Sequence, residues 1–217
     1  MIEISAPSSG VPGYRYTRAQ PARCIALASV LALASILGAC RDVPAQRSAL
    51  ADVSGHLPDL AFRFTNDRGE KVTAADYSGA VSLLYFGFTR CPDECPDAMA
   101  RAAAAVLKSG AGPGELHTFL ATVDPDHDTP AVLHAYLTPF ADAHPIGLSG
   151  DADATLALVK RYRVAYQSAD GVHRLPVHGA AIYVFDRAGH ARRMIGAADS
   201  IDAIVQDLTV LLAEPRP

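Results

Sequence analysis

VSLLYFGFTRCPDECPDAMAR, residues 81–101, is the stretch from which the rest of the chain can be arranged. Residues 81–88 are apolar and rich in aromatic and β-branched side chains, which is typical of a strand buried on both faces. The alanine-containing segment after them predicts a helix that starts between Pro92 and Pro96, because proline is tolerated in a first helical turn. The stretch therefore predicts a central strand, a loop carrying Cys91, and a helix.

Cys91 and Cys95 stand four residues apart at this predicted loop–helix boundary. If both were helical, their Cβ atoms would lie about 5–6 Å apart, whereas a disulfide needs roughly 3.8 Å. If Cys91 lies in the loop, the gap can close, so the spacing permits both a metal-bound pair and a disulfide. The helix N-terminus and Arg90 favour the thiolate while three nearby acidic residues oppose it, so we expect a moderate lowering of the cysteine pKa.

Residues 1–39 predict an export leader. Arginines precede an apolar run that has the length of a signal-peptide core and is too short to span a membrane. The run ends in LGAC, residues 37–40, which resembles a bacterial lipobox, so Cys40 is predicted to carry lipid as the first mature residue. An ordinary signal cleavage site with Cys40 left free is the alternative. The expected location is the periplasmic side of a bacterial membrane, as an anchored lipoprotein.

Composition limits the function of the exported part. Of the 4 cysteines, one leaves with the leader and Cys40 would carry lipid, so Cys91 and Cys95 are too few for a disulfide framework. The formal net charge is −4, and a mildly acidic domain has no evident attraction to nucleic acid. We expect a polar tether over residues 40–54, followed by one domain over residues 55–213.

The other segments predict an α/β domain with a central mixed sheet flanked by helices. A turn signal at residues 66–69 predicts an N-terminal β-hairpin, and residues 116–123 predict a second buried strand. Residues 180–195 predict a second hairpin, and residues 200–212 predict a final amphipathic helix. This order of strands and helices is that of a thioredoxin-like fold.

Shorter segments give weaker signals. Residues 146–148 predict no more than a marginal strand, and residues 164–167 predict an added strand. Either Asp128 or Thr129 is predicted to cap the helix that begins at Pro130.

The predicted fold also brings distant residues to one edge of the sheet. The strand at residues 180–185 should run antiparallel to the strand at residues 81–88, so that its beginning lies beside the other's end. This arrangement predicts that His178 lies next to Cys91 and Cys95. Asp124, at the end of the neighbouring parallel strand, is expected to reach the same rim and to order its loop.

Three blocks of sequence together resemble the Sco/SenC family: FGFTRCPDECPD at 86–97, TVDPDHDTP at 122–130 and VHGAAIYVFDRAGH at 177–190. The resemblance covers roughly residues 55–213. It implies a membrane-anchored protein that binds one copper ion through two cysteines and a histidine, and that helps to build the binuclear copper centre of cytochrome c oxidase. Cys91, Cys95 and His178 match those ligands residue by residue.

The resemblance also implies partners and supporting residues. The partners are subunit II of cytochrome c oxidase, another periplasmic copper chaperone as a candidate donor, and the membrane through the lipid anchor. Arg90 and Asp124 are candidates to support the ligands from outside the metal's own coordination. The chain departs from the family at Gly179, where a serine or threonine is frequent, and at Pro176-Val177, where the approach is usually acidic. Its leader resembles that of a lipoprotein, whereas many relatives have a transmembrane anchor.

The ligand chemistry is consistent with copper but leaves other functions open. Two thiolates and an imidazole suit Cu(I) and can also hold Cu(II), whereas structural zinc prefers four ligands. Cys91 and Cys95 could instead act as the redox pair of a thiol–disulfide reductase that keeps the oxidase's copper-binding cysteines reduced, which would not need His178. A copper or redox sensor and a structural disulfide are further alternatives.

Overall fold

The structure is a computed structural model in which residues 49–167 and 177–217 are described, and all of these fall within the unit Arg47–Pro217. The leader, Cys40 and residues 168–176 lie outside the described residues. The strands are β1 (Ala51–Asp52), β2 (Arg63–Asn66), β3 (Lys71–Thr73), β4 (Val81–Gly87), β5 (Leu116–Thr122), β6 (Ile146–Ser149), β7 (Tyr166–Gln167), β8 (Val177–His178), β9 (Ile182–Phe185) and β10 (Ala191–Ile195). The helices are α1 (Glu94–Ser109), α2 (Pro130–Leu137), α3 (Ala152–Arg161) and α4 (Ile201–Ala213), with 3-10 turns at Ala74–Tyr77 and Thr138–Ala143.

One mixed sheet carries the fold, in the strand order β1-β10-β9-β4-β5-β6-β2-β3. β4 lies inside it, parallel to β5 and antiparallel to β9. All seven residues of β4 are buried, because β4 has strands on both edges and the sheet is flanked by helices. The predicted thioredoxin-like fold is therefore confirmed. The ends of β4 and β5 and the start of β9 meet at one edge of the sheet, which we call the rim.

Local signals predicted several boundaries correctly. The two expected hairpins are present as β2–β3 and β9–β10. Their turns contain Gly69 and Gly189, both with a φ of 83°, a left-handed conformation that glycine adopts without a Cβ clash. Thr129 is the N-cap of α2 and its hydroxyl accepts a hydrogen bond from the N–H of Val132 at 3.4 Å. Turn and capping residues act over a few positions, so the sequence alone locates them.

The strand β6 is more central to the sheet than the sequence predicts. The sequence predicts at most a marginal strand there, yet β6 lies inside the sheet between β5 and β2. Gly147 permits this position, because a Cβ at that residue would lie 2.8 Å from the Cβ of Leu133 on α2. A four-residue strand is too short for its periodicity to be distinctive, and its place depends on close packing with a distant helix.

The folded domain also begins earlier than expected. Residues 51 and 52, assigned to the tether from their composition, pair with β10 as the edge strand β1. The N–H groups of Ala49 and Leu50 donate to the buried carboxylate of Asp207 on α4, each at 2.9 Å. Polar, small residues therefore enter the fold because a distant acidic side chain accepts their hydrogen bonds. Among the residues described, no helix is both long enough and apolar enough to cross a membrane.

Candidate metal centre

The two cysteines flank the start of α1, which begins at Glu94, within the range that the prolines predict. Cys91 lies in the loop before the helix and Cys95 in the first turn. The backbone N–H of Cys95 donates to Sγ of Cys91 at 3.3 Å, and both thiols are free. Cys91 is outside the helix, and this hydrogen bond holds its sulfur beside the backbone of Cys95. The loop therefore presents two reduced sulfur ligands at one point.

The two thiols differ in their access to solvent. Cys91 retains 9% of its surface and Cys95 retains none. A partner molecule or a hydrated ion therefore reaches Cys91 first, with Cys95 behind it.

Gly87, the last residue of β4, makes room for the buried thiol. A Cβ at this position would lie 3.2 Å from Sγ of Cys95, 3.0 Å from Cδ1 of Leu120 and 2.8 Å from Cε1 of Tyr85. Contacts this short would displace the neighbouring side chains. Glycine at the end of the central strand thus allows Cys95 to pack directly against the sheet.

The environment of Cys95 favours the protonated thiol in the metal-free protein. Burial, assisted by a hydrogen bond with Cys91, raises the pKa of Cys95 to about 12. The Tyr85 hydroxyl and the backbone of Phe88 act in the opposite direction, but more weakly. The expected moderate lowering of the pKa is therefore wrong for Cys95, because loss of solvation outweighs the helix N-terminus.

Asp128 ties the cysteine loop to the neighbouring strand. Its fully buried carboxylate accepts hydrogen bonds from the N–H of Thr89 at 2.9 Å and from the Thr89 hydroxyl at 2.6 Å. The hydroxyl of Thr122 on β5, at 2.6 Å, and Nδ1 of His127, at 2.9 Å, contact the same carboxylate. The sequence predicts either Asp128 or Thr129 as the helix cap, and in the structure Thr129 has that role. The pattern DTP signals a cap without revealing that its aspartate is buried and joins two distant segments.

Arg90 and Asp124 meet at the rim, but they bind each other. Nε and Nη2 of Arg90 donate to Oδ2 of Asp124 at 3.1 and 2.6 Å. This contact agrees with the expectation that Asp124 orders its loop, while support of the metal ligands by either residue stays a prediction. Within the described ranges, Asp124, His127 and Asp128 form the one group of three potential metal ligands whose atoms lie within 4.8 Å of one another. Their carboxylates already accept the bonds given above, so the group is a hydrogen-bond network.

His178 lies on a small ribbon formed by β7 and β8, separate from the main sheet. Tyr166 is directly opposite His178 in this ribbon, and the N–H of Gly179 donates to the carbonyl of Ala165 at 3.0 Å. The Tyr166 hydroxyl donates to the carbonyl of Val123, just after β5, at 3.4 Å. The ribbon is thus attached at the rim where the cysteine loop begins. The side chain of His178 is not described, so its contact with the two cysteines stays a prediction.

Comparison with known proteins identifies relatives along most of the chain. The SCO1/SenC family model matches residues 54–213. The chain is 32% identical over 161 residues to the mitochondrial protein SCO1 homolog 1 of Arabidopsis thaliana, covering 71% of this chain and 47% of that protein. It is 35% identical over 135 residues to the mitochondrial SCO2 homolog of Bos taurus, covering 59% and 50%. The matched region spans about half the length of these relatives.

Comparison with solved structures also identifies Sco proteins as relatives. The structure of Bradyrhizobium japonicum ScoI with copper bound aligns with a TM-score of 0.62 at 30% identity, covering 70% of this chain and 98% of that one. Yeast Sco1 with copper bound aligns with a TM-score of 0.64 at 28% identity, covering 74% and 92%. The alignments therefore span nearly the whole of both copper-bound domains.

Proposed function

Because the chain belongs to the SCO1/SenC family, we propose that it binds one copper ion through Cys91, Cys95 and His178 and delivers it during the assembly of cytochrome c oxidase. The observation that carries the proposal is the pair of free thiols held together at the rim, with Cys91 nearly buried and Cys95 fully buried. Relatives that align over the same domain have been solved with copper bound.

The donor set fits copper as a transferred ion. Two thiolates are soft ligands that suit Cu(I), and an added imidazole nitrogen favours Cu(II). Binding must displace the proton that burial holds on Cys95, so copper uptake releases protons and weakens in acid. A site open on the side of Cys91 lets an incoming ligand from another protein reach the metal.

The proposed recipient is subunit II of the oxidase, where family members help to build the binuclear copper centre. The leader and its LGAC segment support a bacterial lipoprotein anchored through Cys40 and facing the periplasm. Another periplasmic copper chaperone is the proposed donor.

A second candidate function uses the same thiols without metal. Cys91 keeps a small exposed fraction and Cys95 keeps none, an order that suits a thiol–disulfide reductase of the oxidase's copper-ligand cysteines. The thiolate of Cys91 would attack a substrate disulfide to form a mixed disulfide and release one substrate thiolate. Cys95 would then displace the second substrate thiolate and form the Cys91–Cys95 disulfide. Two electrons pass to the substrate, and the protein is left oxidised.

Copper stoichiometry and visible absorption test the first function. The full chain, reduced and metal-free, is titrated with copper beside Cys91→Ala, Cys95→Ala and His178→Ala, with His56→Ala as the matched control. His56 is an exposed histidine outside the three family blocks. We expect one copper per chain and a sulfur-to-Cu(II) charge-transfer band in the wild type and in His56→Ala. Each of the three ligand variants should lose the stoichiometric binding and the band.

Two results would contradict the copper proposal. One is a wild-type chain that binds no copper tightly, and the other is a His178→Ala variant with the affinity and spectrum of the wild type. Reduction of a disulfide-containing peptide by the wild type and by His178→Ala, but by neither cysteine variant, would then support the reductase.

A further inference from the structure

The ribbon that carries His178 is short. β7 and β8 have two residues each, and within the described residues they form a sheet of their own. An isolated two-stranded hairpin is at best marginally stable in water. The position of the His178 backbone therefore depends on contacts between the ribbon and the main domain.

Tyr166 provides such a contact. Its hydroxyl donates to the carbonyl of Val123, and its half-buried side chain packs against the hydrophobic core. Because Tyr166 is directly opposite His178 in the ribbon, a bond at Tyr166 restrains the backbone at His178.

Val123 connects this contact to the cysteine side of the centre. Its N–H donates to the carbonyl of Gly87 at 2.9 Å, and Gly87 is the residue against which Cys95 packs. One peptide segment therefore binds the end of the cysteine-bearing strand through its N–H and the ribbon through its C=O. The path from Cys95 to the His178 backbone runs through Gly87, Val123 and Tyr166.

We propose that Tyr166 is a positioning residue of the copper centre, which fixes the ribbon bearing His178 relative to Cys91 and Cys95 through Val123. The inference rests on the proposed function, since it takes His178 as a ligand. The thiolates are the main ligands for Cu(I), whereas Cu(II) gains more from the imidazole. Loss of the Tyr166 hydroxyl should therefore weaken Cu(II) binding more than Cu(I) binding.

The substitution Tyr166→Phe in the full chain tests this role, because it removes one oxygen and keeps the ring. We expect Cu(II) affinity to fall about 10-fold, the size of effect seen when a residue that orients a metal ligand is changed. The sulfur-to-Cu(II) band should weaken relative to the wild type, in the direction of the complete loss expected for His178→Ala. The melting temperature of the metal-free protein should stay close to that of the wild type.

Tyr162→Phe is the matched control. The Tyr162 hydroxyl accepts from the N–H of Ala61 at 2.9 Å and donates to the carbonyl of Asp59 at 3.0 Å, so the same atom is removed from a buried tyrosine without a bond to the ribbon. This variant should have a lower melting temperature with the Cu(II) affinity and band of the wild type.

The outcomes separate this inference from the proposed function. If Tyr166→Phe keeps the wild-type affinity and band while His178→Ala loses them, the inference is wrong and the copper proposal stands. If the two tyrosine variants weaken Cu(II) binding equally, the loss of affinity reflects a general loss of stability, and the inference is also wrong. If His178→Ala behaves as the wild type, the proposed function fails and the inference fails with it.

Discussion

The two parts of the proposed copper centre are built in different ways. The cysteine loop follows a fully buried strand and is fastened to β5 by the carboxylate of Asp128, while Cys95 packs against Gly87. The His178 ribbon has two residues in each strand, and in the described part of the chain it contacts the rim through the hydroxyl and the packed ring of Tyr166. The thiol half is thus preorganised by the core, whereas the histidine half is attached locally. We expect a centre of this kind to release copper by displacement of the histidine first, while the thiol pair keeps its shape.

Hydrogen exchange gives the largest expected contrast between the two halves. The N–H of Val123, bonded to Gly87, and the N–H of Thr89, bonded to Asp128, should exchange only when the domain opens widely. The N–H of Gly179, bonded to Ala165, should exchange through local opening of the ribbon. We expect a difference of roughly 1,000-fold or more in protection, measured by NMR on the metal-free protein.

Repeating the hydrogen-exchange measurement with copper bound adds a second comparison. Ligation of His178 should slow exchange at Gly179, because local opening of the ribbon would then have to break the bond to copper. Equal protection of the ribbon and the cysteine loop in the metal-free protein would show that the two halves are equally rigid and would remove the contrast.

The substitution Asp128→Asn tests how strongly the cysteine loop is held. The amide can replace only one of the two carboxylate oxygens, and each oxygen accepts a bond from Thr89 together with a second donor. The variant should lose about 3 kcal/mol of unfolding free energy, because buried donors lose a charged acceptor. Denaturant unfolding measures this loss.

Asp126→Asn is the control for that variant, since Asp126 is an exposed aspartate on the same loop. Its unfolding free energy should stay within about 0.5 kcal/mol of the wild type. Similar losses in the two variants would mean that the buried network adds nothing to the stability of the loop.

A pair of glycine substitutions compares the two halves with the same added methyl group. At Gly87 the new Cβ would meet Tyr85, Leu120 and Cys95 at 2.8 to 3.2 Å, so Gly87→Ala should cost about 1–3 kcal/mol in unfolding free energy. At Gly179, next to His178, no atom of the described residues lies within 4 Å of the new Cβ, so Gly179→Ala should change stability by less than about 0.5 kcal/mol. A destabilising Gly179→Ala would show that the ribbon is packed as tightly as the strand.

Much of the fold could be predicted because its signals are local. The apolar run that became β4, the proline-marked start of α1, the glycine turns and the Thr129 cap each depend on a few neighbouring residues. The sequence predicts only a marginal strand where β6 lies and a tether where β1 lies. Both are short strands of ordinary composition, and their positions depend on distant partners such as α2 and Asp207. Sequence patterns do not report those partners.

For the candidate site, too, some features could be predicted from the sequence and others depend on the tertiary structure. The sequence by itself predicted two cysteines at a loop–helix junction and, by resemblance, His178 as the expected third copper ligand. Only the tertiary structure decided that Cys95 is buried with a raised pKa, that Asp128 anchors the cysteine loop, and that Tyr166 links the His178 ribbon to Val123. The physical reason is that residue type and spacing specify which atoms can bind a metal, whereas burial and hydrogen bonding depend on segments that the chain brings together only when it folds.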